Sequence, residues 1–406
     1  MTNRKIVALA AFAYVFLAPF FFHPDLKVIF YQAQFLTKGV INIYQFLEAN
    51  PQNALLGPFV YPPLAYFFVG VLFPIVNFIA GPGFTQWLAM GNDAVTVPHI
   101  FRYIFALKLP FILFHFMSGF YLSRWFVETK KQRNFLLLWF FNPISLYVVA
   151  LMGQIDVVAV FLTIVAIEFA HKKPTLSAAL LGLGAAIKTY PLLLIPFLAF
   201  GVEKSWQKRL KLLLIAMGSY LVFVVPYLTT PAFYSDTLTS GLSQRLLLTG
   251  VNIGYGETLV LVPLLIILVF IAFLKSVSSK GKLIGYFFVV TSLVVVLTHF
   301  HPQWGMWYLP FFLFLLIKMQ SLSTDQKWLL GFLFFIGFLA TVVLYNDLFL
   351  SLGLVSPIDS GVLFLSTPSA IVQKFFESLI IQSLFHSALA SGVFWLSYKV
   401  LSDKNI

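Results

Sequence analysis

The chain contains no cysteine. That excludes disulfides and thiolate-held metals, and it leaves the redox compartment unread. Charge is also scarce. Only 10% of the 406 residues are Asp, Glu, Lys or Arg, against about 25% in a soluble domain, so most of this surface cannot face water. No internal repeat, low-complexity tract or glycine-rich nucleotide-binding loop is present. The alternation of apolar and polar residues that a membrane β-barrel requires is missing as well. Phe135 to Ala150 and Leu283 to Thr298, for example, run apolar without alternating. No loop is long enough to fold a core of its own, so residues 1–406 read as one polytopic membrane domain.

What the chain has in abundance is apolar: 60% hydrophobic and 18% aromatic residues. Apolar runs of about 17–25 residues span the hydrocarbon core as helices, which predicts an all-α transmembrane bundle. The first such run follows Arg4-Lys5 and resembles a signal peptide. No small-residue cleavage site follows it, and it reads as a retained helix. The net charge of +12 would suggest nucleic acid in a soluble protein. Here it follows from Lys and Arg gathering in cytoplasmic loops, and no nucleic-acid partner is expected.

Basic clusters at Arg4-Lys5, Arg124 to Arg133, Lys172-Lys173, Lys204 to Lys211, Lys275 to Lys282, Lys318/Lys327 and Lys399/Lys404 are placed inside. About ten crossings follow, near 6–22, 100–122, 135–152, 155–170, 212–228, 257–274, 283–298, 304–317, 328–345 and 378–397. Both termini are then cytoplasmic. Two further segments must return to the side they left. Residues 175–200 lie between basic loops, with Lys188-Thr189-Tyr190-Pro191 at the middle. Residues 61–80 start outside, and Pro74 is expected to interrupt them. Backbone breaks at membrane depth are tolerated where they line a polar cavity. The lack of a C-terminal retrieval signal favours a prokaryotic cell membrane over the endoplasmic reticulum.

The polar residues needing explanation collect outside. Asp25 follows the first helix, in the external loop 23–60, whose stretch Val28 to Tyr44 has helical periodicity and suits an interfacial helix. Its position fits either a helix cap or a carboxylate at the mouth of a cavity. Asp156, in Gly153-Gln154-Ile155-Asp156, fits a turn cap or a Gln/Asp pair for a polyol. Lys188 is an ionisable residue inside the membrane, which is costly and marks function; its ammonium suits phosphate. Arg102 and Lys108 suit the same lipid phosphate, or snorkel to the interface. His299 to Trp304 joins two helices outside. The two histidines suit a metal, but without the spacing of a known metal motif. His301, Gln303, Trp304 and Trp307 suit a sugar, and the aromatics also suit the interfacial belt.

Five motifs occur in an order that resembles the GT-C superfamily of integral membrane glycosyltransferases, in particular the branch containing the GPI mannosyltransferase I catalytic subunit and bacterial polyprenyl-phosphate-sugar-dependent enzymes. They are Asp25 with Phe35-Leu36-Thr37-Lys38-Gly39 and Tyr44; Tyr61-Pro62-Pro63-Leu64; Asn142-Pro143 with Gly153-Gln154-Ile155-Asp156; Lys188-Thr189-Tyr190-Pro191; and His301-Pro302-Gln303-Trp304 with Trp307-Tyr308-Leu309-Pro310. The family's paired acidic motif is incomplete, with His23 at its leading position. His115 also stands where that subunit has an acidic residue.

The resemblance implies transfer of a monosaccharide, mannose first, from a polyprenyl-phosphate donor to a lipid or glycan acceptor at the outer face. It implies Asp25 as general base with inversion, and Lys188, Arg102 and Lys108 around the donor phosphate. Gln154, Asp156, Tyr190, His301, Gln303 and Trp304 are then expected around sugar or acceptor. A bound divalent metal, manganese or magnesium, is left open. The rival reading is a transporter or flippase, because broken helices and midplane charge also occur there.

Overall fold

The fold is described from a computed structural model covering residues 2–54, 57–240, 244–275 and 279–403. Lys404, part of the last basic cluster, lies outside the described residues. The molecule is 76% helical. Helix α1 (Asn3–Leu17) leads through a short 3₁₀ turn to α2 (Pro24–Ala33) and α3 (Ile43–Ala49). Then come α4 (Pro63–Ala80), α5 (Phe84–Leu88), α6 (Ile100–Ser123) and α7 (Thr129–Phe141). A π-helical segment, Leu146–Met152, precedes α8 (Asp156–Phe169) and α9 (Pro174–Ile187). The chain continues through α10 (Ile195–Val202), α11 (Trp206–Val224), α12 (Leu261–Leu274) and α13 (Lys280–Leu297). It ends with α14 (Gly305–Lys318), α15 (Thr324–Val343) and α16 (Ser378–Ser402). An exposed hairpin of β1 (Gly250–Gly254) and β2 (Glu257–Val260) takes the first four residues of the expected 257–274 crossing.

Among the described residues, seven helices are long and apolar enough to cross a membrane, or eight if the bent pair Thr129–Phe141 and Pro143–Met152 is one span. This is a polytopic helical bundle and an integral membrane protein. The expected crossings at 155–170 and 304–317 fall on α8 and α14, which have 14 residues each. At 1.5 Å per residue these reach about 21 Å, short of a hydrocarbon core about 30 Å thick. Helix α13 is buried along most of its length, whereas α1 and α16 turn most of their surface outward.

Two expected breaks come out differently. Helix α4 runs unbroken through Pro74. The residue one turn earlier, where the proline ring presses on the backbone, is Gly70, and it packs so closely that a Cβ there would meet Leu36 at 2.5 Å. Both flanks of α4 are tied to α2. On one side Gln32 donates to the Gly57 carbonyl at 2.8 Å. On the other, Lys27 Nζ donates to Met90 and Gly91 at 3.0 and 2.7 Å. Burial pushes the Lys27 ammonium down to about 8 against the pull of Asp93. The second break is real. Helix α9 stops at Lys188, whose backbone is extended, and a 3₁₀ turn (Tyr190–Leu194) follows. Pro191 has no N–H to offer the Ile187 carbonyl, so the α-helical ladder ends there.

Candidate active site

Three chain breaks meet at one cavity of about 420 Å³. The first is the start of α2. His23 caps this helix, accepting the Asp25 N–H on Nδ1 at 3.3 Å, and Pro24 and Asp25 fill its first turn. A carboxylate there is favoured by the positive end of the helix dipole. Asp25, Val28 and Gln32 all line the cavity, as their i, i+3, i+7 spacing requires. The second break is Lys188-Thr189, and the third is the turn carrying His301, Gln303 and Trp304; Trp307, one turn on, also lines the cavity.

Asp25 keeps 43% of its side chain exposed. Its Oδ2 accepts a hydrogen bond from Gln154 Nε2 at 3.3 Å and lies 3.7 Å from His23 Nδ1. Gln154 is held by a backbone detour. The π-helical segment closes with both Gly153 and Gln154 N–H on the Val148 carbonyl. Gly153 sits at φ +79°, and a Cβ there would meet Lys108 and Leu26 at 2.7 and 3.1 Å. Only glycine suits that corner on both counts.

Lys188 is 17% exposed and pairs with Asp156 at 3.4 Å. Its ammonium lies 4.8 Å from the Tyr61 ring centre. Asp156 is fully buried and accepts the Trp307 indole N–H at 2.8 Å. It therefore sits behind the cavity wall, where burial of a carboxylate demands a partner. Trp307 stacks between Tyr190 and Trp304, at 4.5 and 4.7 Å between ring centres. His301 lies against Trp304 at 4.7 Å. Burial, reinforced by the positive charges of Arg245, Lys188 and His299, pushes the His301 imidazole down to about 3.

Thus the structure brings together Asp25, Lys188, His301, Gln303 and Trp304 on the cavity surface, with Gln154, Asp156 and Tyr190 directly behind them. It does not bring Lys108 or Arg102. Lys108 is fully buried and donates to four carbonyls, of Ala18, Phe21, Ala150 and Leu151, at 2.6 to 3.0 Å. Its three N–H donors are used up binding the turn after α1 to the π-helical segment. Arg102 is exposed and lies against Gly81. His115 is also remote, buried between Tyr14 and Trp139. Among the described residues no three His, Asp or Glu side chains cluster to hold a metal ion, and His23 spends Nδ1 on its cap.

Sequence reasoning assigned no role to Gln32 or Tyr61. The helical spacing from Asp25 would have found Gln32. Tyr61 opens the Tyr61-Pro62-Pro63-Leu64 motif, and only folding sets its ring beside Lys188. Arg245 was also missed. Its charge bears on His299, His301 and Tyr345, and Nη1 is buried with no hydrogen-bond partner among the described residues.

An accessible carboxylate and an ammonium thus face one cavity beside an aromatic wall. Residues 59–246 match the model of glycosyltransferase family 87, which supports a GT-C-type membrane glycosyltransferase. The matched stretch carries Lys188, Asp156, Gln154 and Tyr61; Asp25 precedes it and the His301 turn follows it. No curated protein and no solved structure matches the chain.

Proposed function

We propose that the protein transfers a monosaccharide, with mannose the first candidate, from a polyprenyl-phosphate donor to an acceptor hydroxyl at the outer face, with inversion. The observation that carries this is the pairing of an exposed Asp25 with Lys188 across one cavity. Asp25 takes the proton of the acceptor hydroxyl as that oxygen attacks the anomeric carbon. The bond to the phosphate oxygen breaks, and polyprenyl phosphate leaves. Lys188 stabilises the charge developing on the departing phosphate. Asp25 is the one carboxylate among the described residues lining the cavity. A retaining mechanism needs a second carboxylate as nucleophile, so this supports inversion. Gln154 orients Asp25, and Asp156 orients Lys188. Gln303 and Trp304 offer an amide and an aromatic face to the sugar, and Trp307 backs that face.

The test is direct. Purified protein in vesicles is given polyprenyl-phosphate mannose, then polyprenyl-phosphate glucose, with alkyl glycoside acceptors. Release of polyprenyl phosphate coupled to an inverted glycosidic product is expected. Translocation of the intact donor without bond cleavage would mark the protein as a flippase instead.

A further inference from the structure

A second cavity of about 500 Å³ opens beside the first, between the outer ends of α13, α15 and α16. The turn His299-Phe300-His301 divides the two. His299 lines the second cavity and His301 the first, with ring centres 5.3 Å apart. We propose that this second cavity binds the neutral, hydroxyl-rich headgroup of the acceptor, holding the part of it that does not react. The proposal rests on the transferase reading for the word acceptor, and on the cavity wall alone for the chemistry.

Helix α16 is long and apolar enough to span the membrane, yet Gln382, Ser383, His386 and Ser387 form a polar stripe over its outer turns. Polar groups in a spanning helix are costly and demand a reason. Small residues such as serine often mediate helix packing. That is not their use here. The packed face of α16 is Leu389, Gly392, Val393 and Leu396, whereas Ser383 and Ser387 are exposed and border the cavity.

The direction of the hydrogen bonds decides the ligand. Ser383 donates its hydroxyl to the Leu379 carbonyl and Ser387 to that of Ser383, both at 2.7 Å. His386 Nε2 lies 2.9 Å from the Val296 carbonyl. A carbonyl only accepts, so Nε2 carries the proton and Nδ1 is left as an acceptor. Thr341 and Thr298 likewise donate to helix carbonyls at 2.7 Å. With their protons spent, these groups face the cavity as acceptors. Asn346, whose Oδ1 already accepts from Thr367, and the Tyr345–His299 pair add donors to the same wall, but acceptors predominate, and such a wall favours ligands that donate. Sugar and polyol hydroxyls donate; a phosphate dianion offers acceptors only. The Gln382 amide, with no partner among the described residues, serves either end of a hydroxyl. No carboxylate, lysine or arginine is found among the described residues lining this cavity. Arg245, which bears on Tyr345 and His299, lines neither cavity.

The experiment uses the full chain in phosphatidylcholine nanodiscs without donor. Two photoprobes with the same diazirine tail are compared, an octyl hexoside and octyl phosphate. The hexoside is expected to label peptides covering 341–346 and 378–387, and excess unlabelled octyl hexoside should block this. The double variant Gln382→Leu/His386→Leu should lose roughly tenfold in labelling, the value of two ordinary hydrogen bonds. Gln382→Glu, which keeps acceptors at the site, should retain hexoside labelling and confirms that the helix tolerates change there. Equal labelling by octyl phosphate, or labelling that ignores both competitor and the double variant, overturns the proposal and marks a lipid crevice. An Asp25→Asn background should label normally while transferring roughly 10²–10⁴-fold more slowly, so failure of the transferase reading is scored apart from failure of this one.

Discussion

Lys108 and Lys188 both lie within the apolar body of this protein, and they are used in opposite ways. Around Lys108 the turn after α1 and the π-helical segment supply four carbonyl oxygens and no opening. Around Lys188 the chain supplies one carboxylate, one aromatic face and a cavity. Both positions look equally anomalous in a hydrophobic sequence. The difference is spare valence. An ammonium saturated by backbone carbonyls holds helices together, whereas one with a free side toward a cavity is able to meet a substrate anion. Asp25 follows the same rule, since its carboxylate keeps nearly half its surface open.

The contrast is most open to attack at Asp25. Asp25→Asn should lower transfer by roughly 10²–10⁴, the usual worth of a general base, with donor binding and gel-filtration behaviour unchanged. Wild-type turnover in that variant would falsify the base assignment. Lys188 comes next. Lys188→Ala alone strands the buried Asp156 and should cost roughly 3–5 kcal/mol of stability. The paired change Asp156→Asn/Lys188→Gln removes both charges and should fold. Its KM for the donor should rise roughly ten- to a hundredfold, the worth of a charged hydrogen bond. An unchanged KM would remove Lys188 from the phosphate site.

Lys108→Met sharpens the other side. It leaves carbonyls without a donor at about 1–3 kcal/mol each, so the thermal midpoint should fall steeply while folded protein keeps its donor KM. A raised KM with normal stability would erase the distinction. His301 gives a smaller, pH-dependent effect. Its folded pKa lies near 3, below the unfolded value of about 6.5. Between these values the unfolded chain binds the extra proton, so stability falls as pH drops below about 6.5. His301→Gln should flatten that decline in pH-dependent thermal melts. Arg102→Gln should leave stability nearly unchanged and shift donor KM by no more than about twofold, as expected of an exposed side chain that does not line the cavity.

Much of the candidate site's clustering was legible because its residues sit at chain breaks that have sequence signatures. Pro191 after Lys188, the Gly153 corner and Pro302 after His301 each announce an interrupted helix, and polar residues at such interruptions face a common space. The bundle itself was legible from apolar length. Pro74 was misread because proline is a local signal, while the accommodation by Gly70 and Leu36 is a tertiary one. Lys108 was misread because its four partners are backbone atoms from distant segments, and backbone carbonyls leave no mark on a sequence. The polar stripe on α16 follows helical spacing and was visible in principle. It was hidden by the high apolar content around it, since Leu379, Leu384 and Phe385 dilute any average over the helix.

The aromatic column of Trp304, Trp307 and Tyr190 has a consequence for observation. Indole rings stacked at 4.7 Å and tilted by 21° couple their electronic transitions. One of them is also hydrogen-bonded to the carboxylate that holds Lys188. A ligand drawing the ammonium toward itself loosens that carboxylate and alters the field on the lower ring. The protein therefore carries an intrinsic optical gauge at the wall of its candidate site, readable as near-ultraviolet circular dichroism without any added label.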